Sequence, residues 1–175
     1  MFKKIFIGVM TVALLAAGSY FFFASHRQSL FEDCAFCDPE ILANQTFYED
    51  DLVLALYTYK PIMPGHCLII PKRHVERFEM LTNEEACQIC RVIKKVNAAA
   101  MKAFGTGSYL LLQKNGWEVG QSVPHVHFHY IPRKVGDRYS LFFLIKMYIV
   151  NLGSPIDPSE MHEAVQKMKA AIATL

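Results

Sequence analysis

The first feature of the hydropathy pattern is the run from Ile5 to Ala24. It carries no charged residue and extends about 20 residues, enough for a helix to span a bilayer. Beyond it the pattern breaks into shorter pieces. Thr46–Asp51 and Leu52–Thr58, rich in Val, Leu, Phe and Tyr, predict two strands joined tightly at Glu49-Asp50-Asp51. Lys60 to Gly65, with two prolines and a glycine, predicts a turn, and His66–Pro71 a short apolar strand. Thr82 has the form of a helix N-cap, with Glu85 as its capping-box partner. Ala86, Ile89, Cys90, Ile93, Val96 and Ala100 then keep helical spacing until Gly105 and Gly107 stop the helix. Tyr109–Gln113 reads as a strand, Asn115-Gly116 as a turn and Val126–Ile131 as a strand. Pro158 opens an amphipathic helix to about Thr174. Leu141–Ile145 is apolar but too short to span a membrane, and its pattern does not choose between helix and strand.

Composition narrows this picture. A chain of 175 residues supports one domain with a real core. The net charge of +2 gives no basic excess of the kind nucleic acid demands. Lys3 and Lys4 before the apolar run favour a single N-terminal anchor with the domain on the non-cytoplasmic side, though His26 and Arg27 weaken that bias. Cleavage as a signal segment near Ala16-Ala17-Gly18, or burial as a soluble helix, are the alternatives. Ser25–Asp33 reads as a polar linker. Five cysteines, an odd number, do not make a disulfide framework; a metal site plus buried thiols fits better.

The chemistry concentrates in Pro124–Arg133. His125, His127 and His129 occupy every second position, so on a strand they share one face while Val126, Phe128 and Tyr130 point to the other. Neutral imidazole is a nucleophile or base, and protonated imidazole holds phosphate oxygens. A three-histidine metal site, or a solvated strand with incidental histidines, shares this spacing. The preceding Asn115-Gly-Trp-Glu-Val-Gly-Gln-Ser122 narrows the choice. Its glycines let backbone N–H groups approach an anion, and Gln121 and Ser122 add donors. Anion donors beside a histidine nucleophile point to phosphoryl or nucleotidyl transfer.

Pro64-Gly-His66, Pro71-Lys-Arg-His74, Gly120-Gln-Ser-Val123 and His125-x-His127-x-His129 together resemble the histidine triad (HIT) family of nucleotide hydrolases and transferases. The likeness covers about Cys34 to Asp137. Lys60 to His66, Val75-Glu-Arg-Phe78 and Ile131-Pro-Arg-Lys134 bring it nearest to the fragile-histidine-triad branch, which cleaves dinucleoside polyphosphates. The resemblance implies an α+β fold: an antiparallel sheet of about five strands, a long packed helix and a C-terminal helix. The organisation is then an N-terminal segment (1–27), the family domain (28–138) and a C-terminal extension (139–175), assembled as a homodimer.

The same resemblance implies roles. His127 attacks the α-phosphorus and becomes nucleotidyl-histidine; water then releases a nucleoside monophosphate. His129 contacts the phosphate and helps the leaving group depart, and His66 supports it from the neighbouring strand. Asn115, Gln121 and Ser122 bind substrate. Thr58 stands where relatives carry an acidic residue or an asparagine, which leaves the nucleoside preference open. Lys114 stands where some dinucleotide hydrolases hold a glutamine; an extra phosphate contact or a solvated position are both open to it. Many bacterial members bind a structural zinc through a C-x-x-C pair and two histidines. Here those are Cys34, Cys37, His74 and His125, with a Cys34–Cys37 disulfide as the rival. No catalytic cofactor is implied. A nucleotide phosphorylase, or a binding sensor without turnover, remain alternatives to hydrolysis.

The other residues singled out have plainer expectations. Cys90 is expected on the apolar helix face, Cys87 with it in the same helix, and Cys67 buried in its strand. His162 is expected to be solvated. Trp117 is left between packing on the nucleobase and covering the loop, and Arg133 and Lys134 between attracting polyphosphate and ending a strand.

Overall fold

Asp38 and Pro39 start the first helix. The Asp38 carboxylate accepts from the Glu40 and Ile41 amides at 2.8 and 3.3 Å, capping α1 (Pro39–Gln45), and Pro39 supplies the preset φ of a first helical turn. The computed structural model describes residues 34–134, 141–149 and 153–175. The expected anchor over residues 5–24 and the linker Ser25–Asp33 lie outside these residues. Among the described residues no helix is long and apolar enough to cross a membrane.

Five strands follow: β1 (Thr46–Glu49), β2 (Val53–Tyr57), β3 (Cys67–Pro71), β4 (Ser108–Gln113) and β5 (Phe128–Arg133). They form one antiparallel sheet in the order β1-β2-β3-β5-β4. The β1–β2 turn is held by Asp50, whose carboxylate accepts from the Leu52 and Val53 amides at 3.0 and 2.9 Å. β2 and β3 are buried at every position, as central strands covered on both faces are.

The long helix α2 (Asn83–Phe104) begins with the expected capping box. The Thr82 hydroxyl accepts from the Glu85 amide at 3.1 Å, and the Glu85 carboxylate accepts from the Thr82 amide at 2.8 Å. Caps of this kind contribute about 1 kcal/mol each. Arg73 grips the same carboxylate through Nε and Nη2 at 2.9 and 2.8 Å, and this hydrogen bond is the main reason its pKa falls to about 2. Gly105 ends the helix at φ 70°, in the left-handed region.

One core lies between the sheet and two helices, α2 and the C-terminal helix α4 (Pro158–Ile172). Ile89, Val92, Val96 and Ala99 of α2 meet Ala55, Ile69 and Tyr130 of the sheet, and Met161, Val165 and Met168 of α4 close the same core. The helix α4 is therefore part of this core. Leu141–Ile149 forms a helix, α3, whose Phe143 packs with Ile62 and Ile131 on the opposite sheet face.

Two local expectations are corrected. Cys90 is exposed, as is Cys87. The buried stripe of α2 is centred near Val96, and at about 100° per residue Cys90 lies roughly 120° from that centre and Cys87 nearly opposite it. The histidine strand also begins two residues later than expected, at Phe128, so His125 and His127 precede the ladder. Val126 instead donates its amide to the Val75 carbonyl at 2.6 Å, which holds the approach to the strand in place.

Candidate active site

β5 alternates as its sequence predicts. Phe128 and Tyr130 pack toward the helices, while His129 and Ile131 face a cavity on the other side. His129 pairs in register with Leu68 of β3 and Leu112 of β4, and all three line that cavity. The cavity has a volume of about 430 Å³. His127, His66, Thr58, Ser122 and Lys114 line it on the polar side. Phe36, Ile41, Tyr59, Ile62 and Met147 supply apolar walls.

The partners of each imidazole determine where its proton sits. His127 Nδ1 lies 2.6 Å from the His125 carbonyl oxygen, which can only accept, so Nδ1 carries the hydrogen and Nε2 keeps its lone pair. His66 Nδ1 accepts from the buried Ile62 amide at 3.2 Å, so His66 carries its hydrogen on Nε2. That Nε2 lies 3.0 Å from His129 Nδ1 and donates to it. His129 therefore carries its own hydrogen on Nε2. Within one cavity His127 offers a lone pair and His129 offers an N–H donor. Burial lowers the pKa of all three rings below the ordinary 6.5, so all three are neutral near pH 7. The rings of His127 and His129 are 5.0 Å apart, and Phe36 packs edge-on against His127 at 5.2 Å.

Before the strand, His125 is fully buried and serves a second cluster. Its Nε2 lies 2.9 Å from the Pro71 carbonyl and donates to it, so Nδ1 keeps a lone pair. Nδ1 is 3.7 Å from Cys37 Sγ, and His74 Nδ1 is 3.4 Å from the same sulfur. With Cys34 these residues form a group whose ligand atoms all lie within 4.8 Å of one another, a set that could hold a metal ion. No disulfide joins Cys34 to Cys37.

Asn115 and Gln121, expected at the substrate, are placed otherwise. Asn115 accepts from the Phe78 amide at 2.8 Å and donates to Glu79 at 2.8 Å. Gln121 accepts from the Gly116 amide at 2.6 Å and donates to the Glu76 carbonyl at 2.9 Å. Neither lines the cavity; their amides fasten the 115–121 loop to the segment after His74. Both are bifunctional amides, well suited to satisfying backbone groups of a tight loop. Gly120, at φ 80°, ends a short 3₁₀ turn over Trp117–Val119. Trp117 does not line the cavity. Arg133 stacks its guanidinium on the Phe143 ring at 3.4 Å and lies outside the cavity with Lys134. Cys67 is buried and His162 exposed, both as expected.

Phe36, Met147 and α1 escaped the reading of the sequence. Asp38-Pro39 was a legible helix start. Nothing local to Phe36 or Met147 announces a cavity wall, since both contacts are distant in sequence.

A profile of the HIT domain matches residues 40–136. The asymmetrical bis(5'-nucleosyl)-tetraphosphatase of Schizosaccharomyces pombe is 40% identical over 96 residues, covering 55% of this chain and 53% of that protein. This chain thus spans about half the length of that relative. The adenosine 5'-monophosphoramidase of the same yeast is 36% identical over 124 residues, covering 71% of this chain and 85% of that protein. Among solved structures, a zinc-bound histidine triad family protein from Mycobacterium smegmatis superposes with a TM-score of 0.63 at 25% identity, covering 81% of this chain and 94% of the other.

Proposed function

The chain belongs to the HIT family, and from that premise we propose that it is a nucleotide hydrolase working through a nucleotidyl-histidine on His127. One observation carries the reading: the His125 carbonyl fixes the His127 hydrogen on Nδ1 and leaves the Nε2 lone pair on a ring that lines the cavity. That lone pair attacks the α-phosphorus. The bond from phosphorus to the bridging atom breaks, and the bridging atom leaves with the electron pair. Water then attacks the same phosphorus, the P–N bond breaks, its electron pair returns to Nε2, and one proton of the water passes to solvent. His129 donates Nε2–H to a phosphate oxygen, and its hydrogen bond from His66 keeps that donor in place. Neutral rings suit both tasks, because a protonated His127 has no lone pair to give. The buried Thr58 and the exposed Ser122 supply further hydroxyl contacts.

The cysteine–histidine cluster fits zinc as a structural ion. Bond lengths of about 2.3 Å to sulfur and about 2.0 Å to nitrogen in a tetrahedron place S and N about 3.5 Å apart. Cys37 Sγ lies 3.4 and 3.7 Å from the His74 and His125 Nδ1 atoms. Four protein ligands would fill the coordination sphere, and the Pro71 carbonyl already orients His125 from behind. We keep two further readings as proposals. Residues 5–24 anchor the chain in a membrane, tested by extraction of the full-length protein from membranes with carbonate or detergent. Two copies pair along the edge strand β4, where Tyr109 and Leu111 are exposed; the sedimentation mass tests this.

The deciding experiment incubates the full-length protein and its His127→Asn variant with diadenosine tetraphosphate and with an adenosine phosphoramidate, and identifies the products by chromatography. Adenosine monophosphate from the wild type, lost by several orders of magnitude in a variant that still binds nucleotide, is the expected result. Near-normal turnover in the variant would remove His127 from its role. Diphosphate release in phosphate buffer would favour phosphorolysis, and binding without product a sensor.

A further inference from the structure

The carboxamides around the cavity differ in what they already bond. Asn115 and Gln121 have both ends satisfied by the 115–121 loop and its surroundings. Gln45, the last residue of α1, is only 9% exposed, yet its side chain has no hydrogen-bond partner among the described residues. Buried polar side chains without partners are uncommon in folded proteins. Gln45 lines the catalytic cavity, as does Thr58, which is 6% exposed and whose hydroxyl also lacks a partner among the described residues. Ile41, four residues before Gln45 on the same helix face, is one of the apolar walls. Thr46 pairs with Leu56, which brings Gln45 to the end of β2, where Thr58 and Tyr59 follow. β3 separates β2 from β5, so this wall stands two strand spacings, about 10 Å, from the histidine strand. A nucleotide whose α-phosphorus meets His127 spans that distance with its base. A groove between α1 and α4 touches Gln45 from the other side, but its own polar residues Asn44, His162 and Gln166 are exposed to water, and Gln45 is not.

We infer that Gln45 hydrogen-bonds the edge of the nucleobase and gives the cavity a preference for adenine over a purine without the 6-amino group. The inference rests on the nucleotide reading of the cavity above. Phe36, Ile41 and Tyr59 offer apolar surface to the faces of any flat ring, so they do not tell one base from another. Only groups at the ring edge do. The glutamine amide carries an acceptor and a donor side by side. Its carbonyl oxygen accepts from the adenine 6-amino group, and its NH2 donates to the adjacent ring nitrogen, the same pairing by which glutamine reads adenine in nucleic acid. A purine lacking the amino group leaves the buried carbonyl unpaired, and a site built to bond a polar group rejects the analogue that lacks it. The preference therefore comes from α1, which lies on the far side of the cavity from the histidines and takes no part in the chemistry at phosphorus.

The test measures dissociation constants of adenosine 5'-monophosphate and purine riboside 5'-monophosphate by calorimetry, on full-length wild type, Gln45→Met and Thr58→Val. Wild type should bind the adenosine compound roughly tenfold more tightly, the scale of one hydrogen bond whose loss leaves a buried partner unpaired. In Gln45→Met, which keeps the length and removes both polar groups, the two affinities should become equal within about twofold. Thr58→Val removes the neighbouring hydroxyl and should leave the ratio standing. Equal affinities in wild type, a ratio that survives Gln45→Met, a ratio lost in Thr58→Val alone, or binding of neither compound each overturn the inference. The wild-type ratio judges it even where Gln45→Met does not fold. Because binding is read without turnover, a protein that shows the ratio but cleaves nothing sinks the hydrolase reading alone, and one that cleaves nucleotides but shows no ratio sinks the role of Gln45 alone.

Discussion

His66 makes two hydrogen bonds that one pair of substitutions can separate. Its Nδ1 accepts from the Ile62 amide at 3.2 Å and its Nε2 donates to His129 at 3.0 Å. Asparagine places its polar atoms near the Nδ1 position, and glutamine near the Nε2 position. His66→Asn therefore keeps the bond to Ile62 and loses the donor to His129. His66→Gln keeps the donor and leaves the Ile62 amide unpaired in a buried place. A buried, orphaned amide costs about 1–3 kcal/mol, whereas losing a bond to the more accessible His129 costs about 1 kcal/mol. Activity should run the other way, because the donor to His129 is what keeps its Nε2–H on the phosphate; losing it should lower kcat roughly 10–100-fold. The expected pattern is crossed: His66→Gln is the less stable and the more active of the two. Urea unfolding gives the stability order and release of adenosine monophosphate gives the activity order. If both properties fall together in the same variant, His66 acts through packing alone and the proton assignment at His129 loses its support.

Two further outcomes follow from the same geometry. Metal analysis of protein prepared under reducing conditions should find about one zinc per chain, lost in Cys34→Ala; because His125 also carries the carbonyl that holds His127, kcat should fall with the metal, and zinc retained in the variant would refute the ligand set. Stability should fall as pH drops below about 6.5. His66 and His129 have folded pKa values below the ordinary 6.5. The unfolded chain therefore takes up protons at 6.5 that the folded chain refuses, at up to about 1.4 kcal/mol per pH unit for each ring. The full stability is present above 6.5. A urea midpoint that stays flat from pH 7.5 to 5, or a slope no shallower in His66→Gln, would contradict this origin.

Much of the fold was legible because its signals are local. The Thr82–Glu85 capping box, Gly105 and the two strands around Asp50 each draw on residues within a few positions of one another, and each lies where the sequence puts it. The His66, His127 and His129 grouping was legible for a related reason: alternation on β5 puts His129 on the cavity face, and one antiparallel register brings β3 beside it. What escaped depends on contacts between distant segments. Cys90 fits an apolar helix pattern, but only the packed sheet shows where the stripe is centred. Asn115 and Gln121 have the chemistry of phosphate ligands, and the competing demand of the loop backbone at Phe78, Glu76 and Gly116 becomes visible only once that loop is folded.

His125 shows why the triad needs three members although two face the cavity. Its ring leaves the catalytic row: Nε2 donates to Pro71 and Nδ1 turns toward Cys37. Its carbonyl meanwhile accepts from His127 Nδ1 and so selects the tautomer in which Nε2 keeps its lone pair. A backbone carbonyl cannot be titrated near neutral pH and cannot rotate away from its chain, so the His127 proton is held by a group with no alternative state. The position of that carbonyl depends on the His125 ring being anchored behind it, which the buried imidazole achieves through Pro71 and the cysteine–histidine cluster. In the proposed mechanism, alternating histidines thus place a structural anchor, a nucleophile and a phosphate donor along one approach to a strand. Each ring differs from the next only in which of its two nitrogens the surrounding backbone and side chains have already occupied.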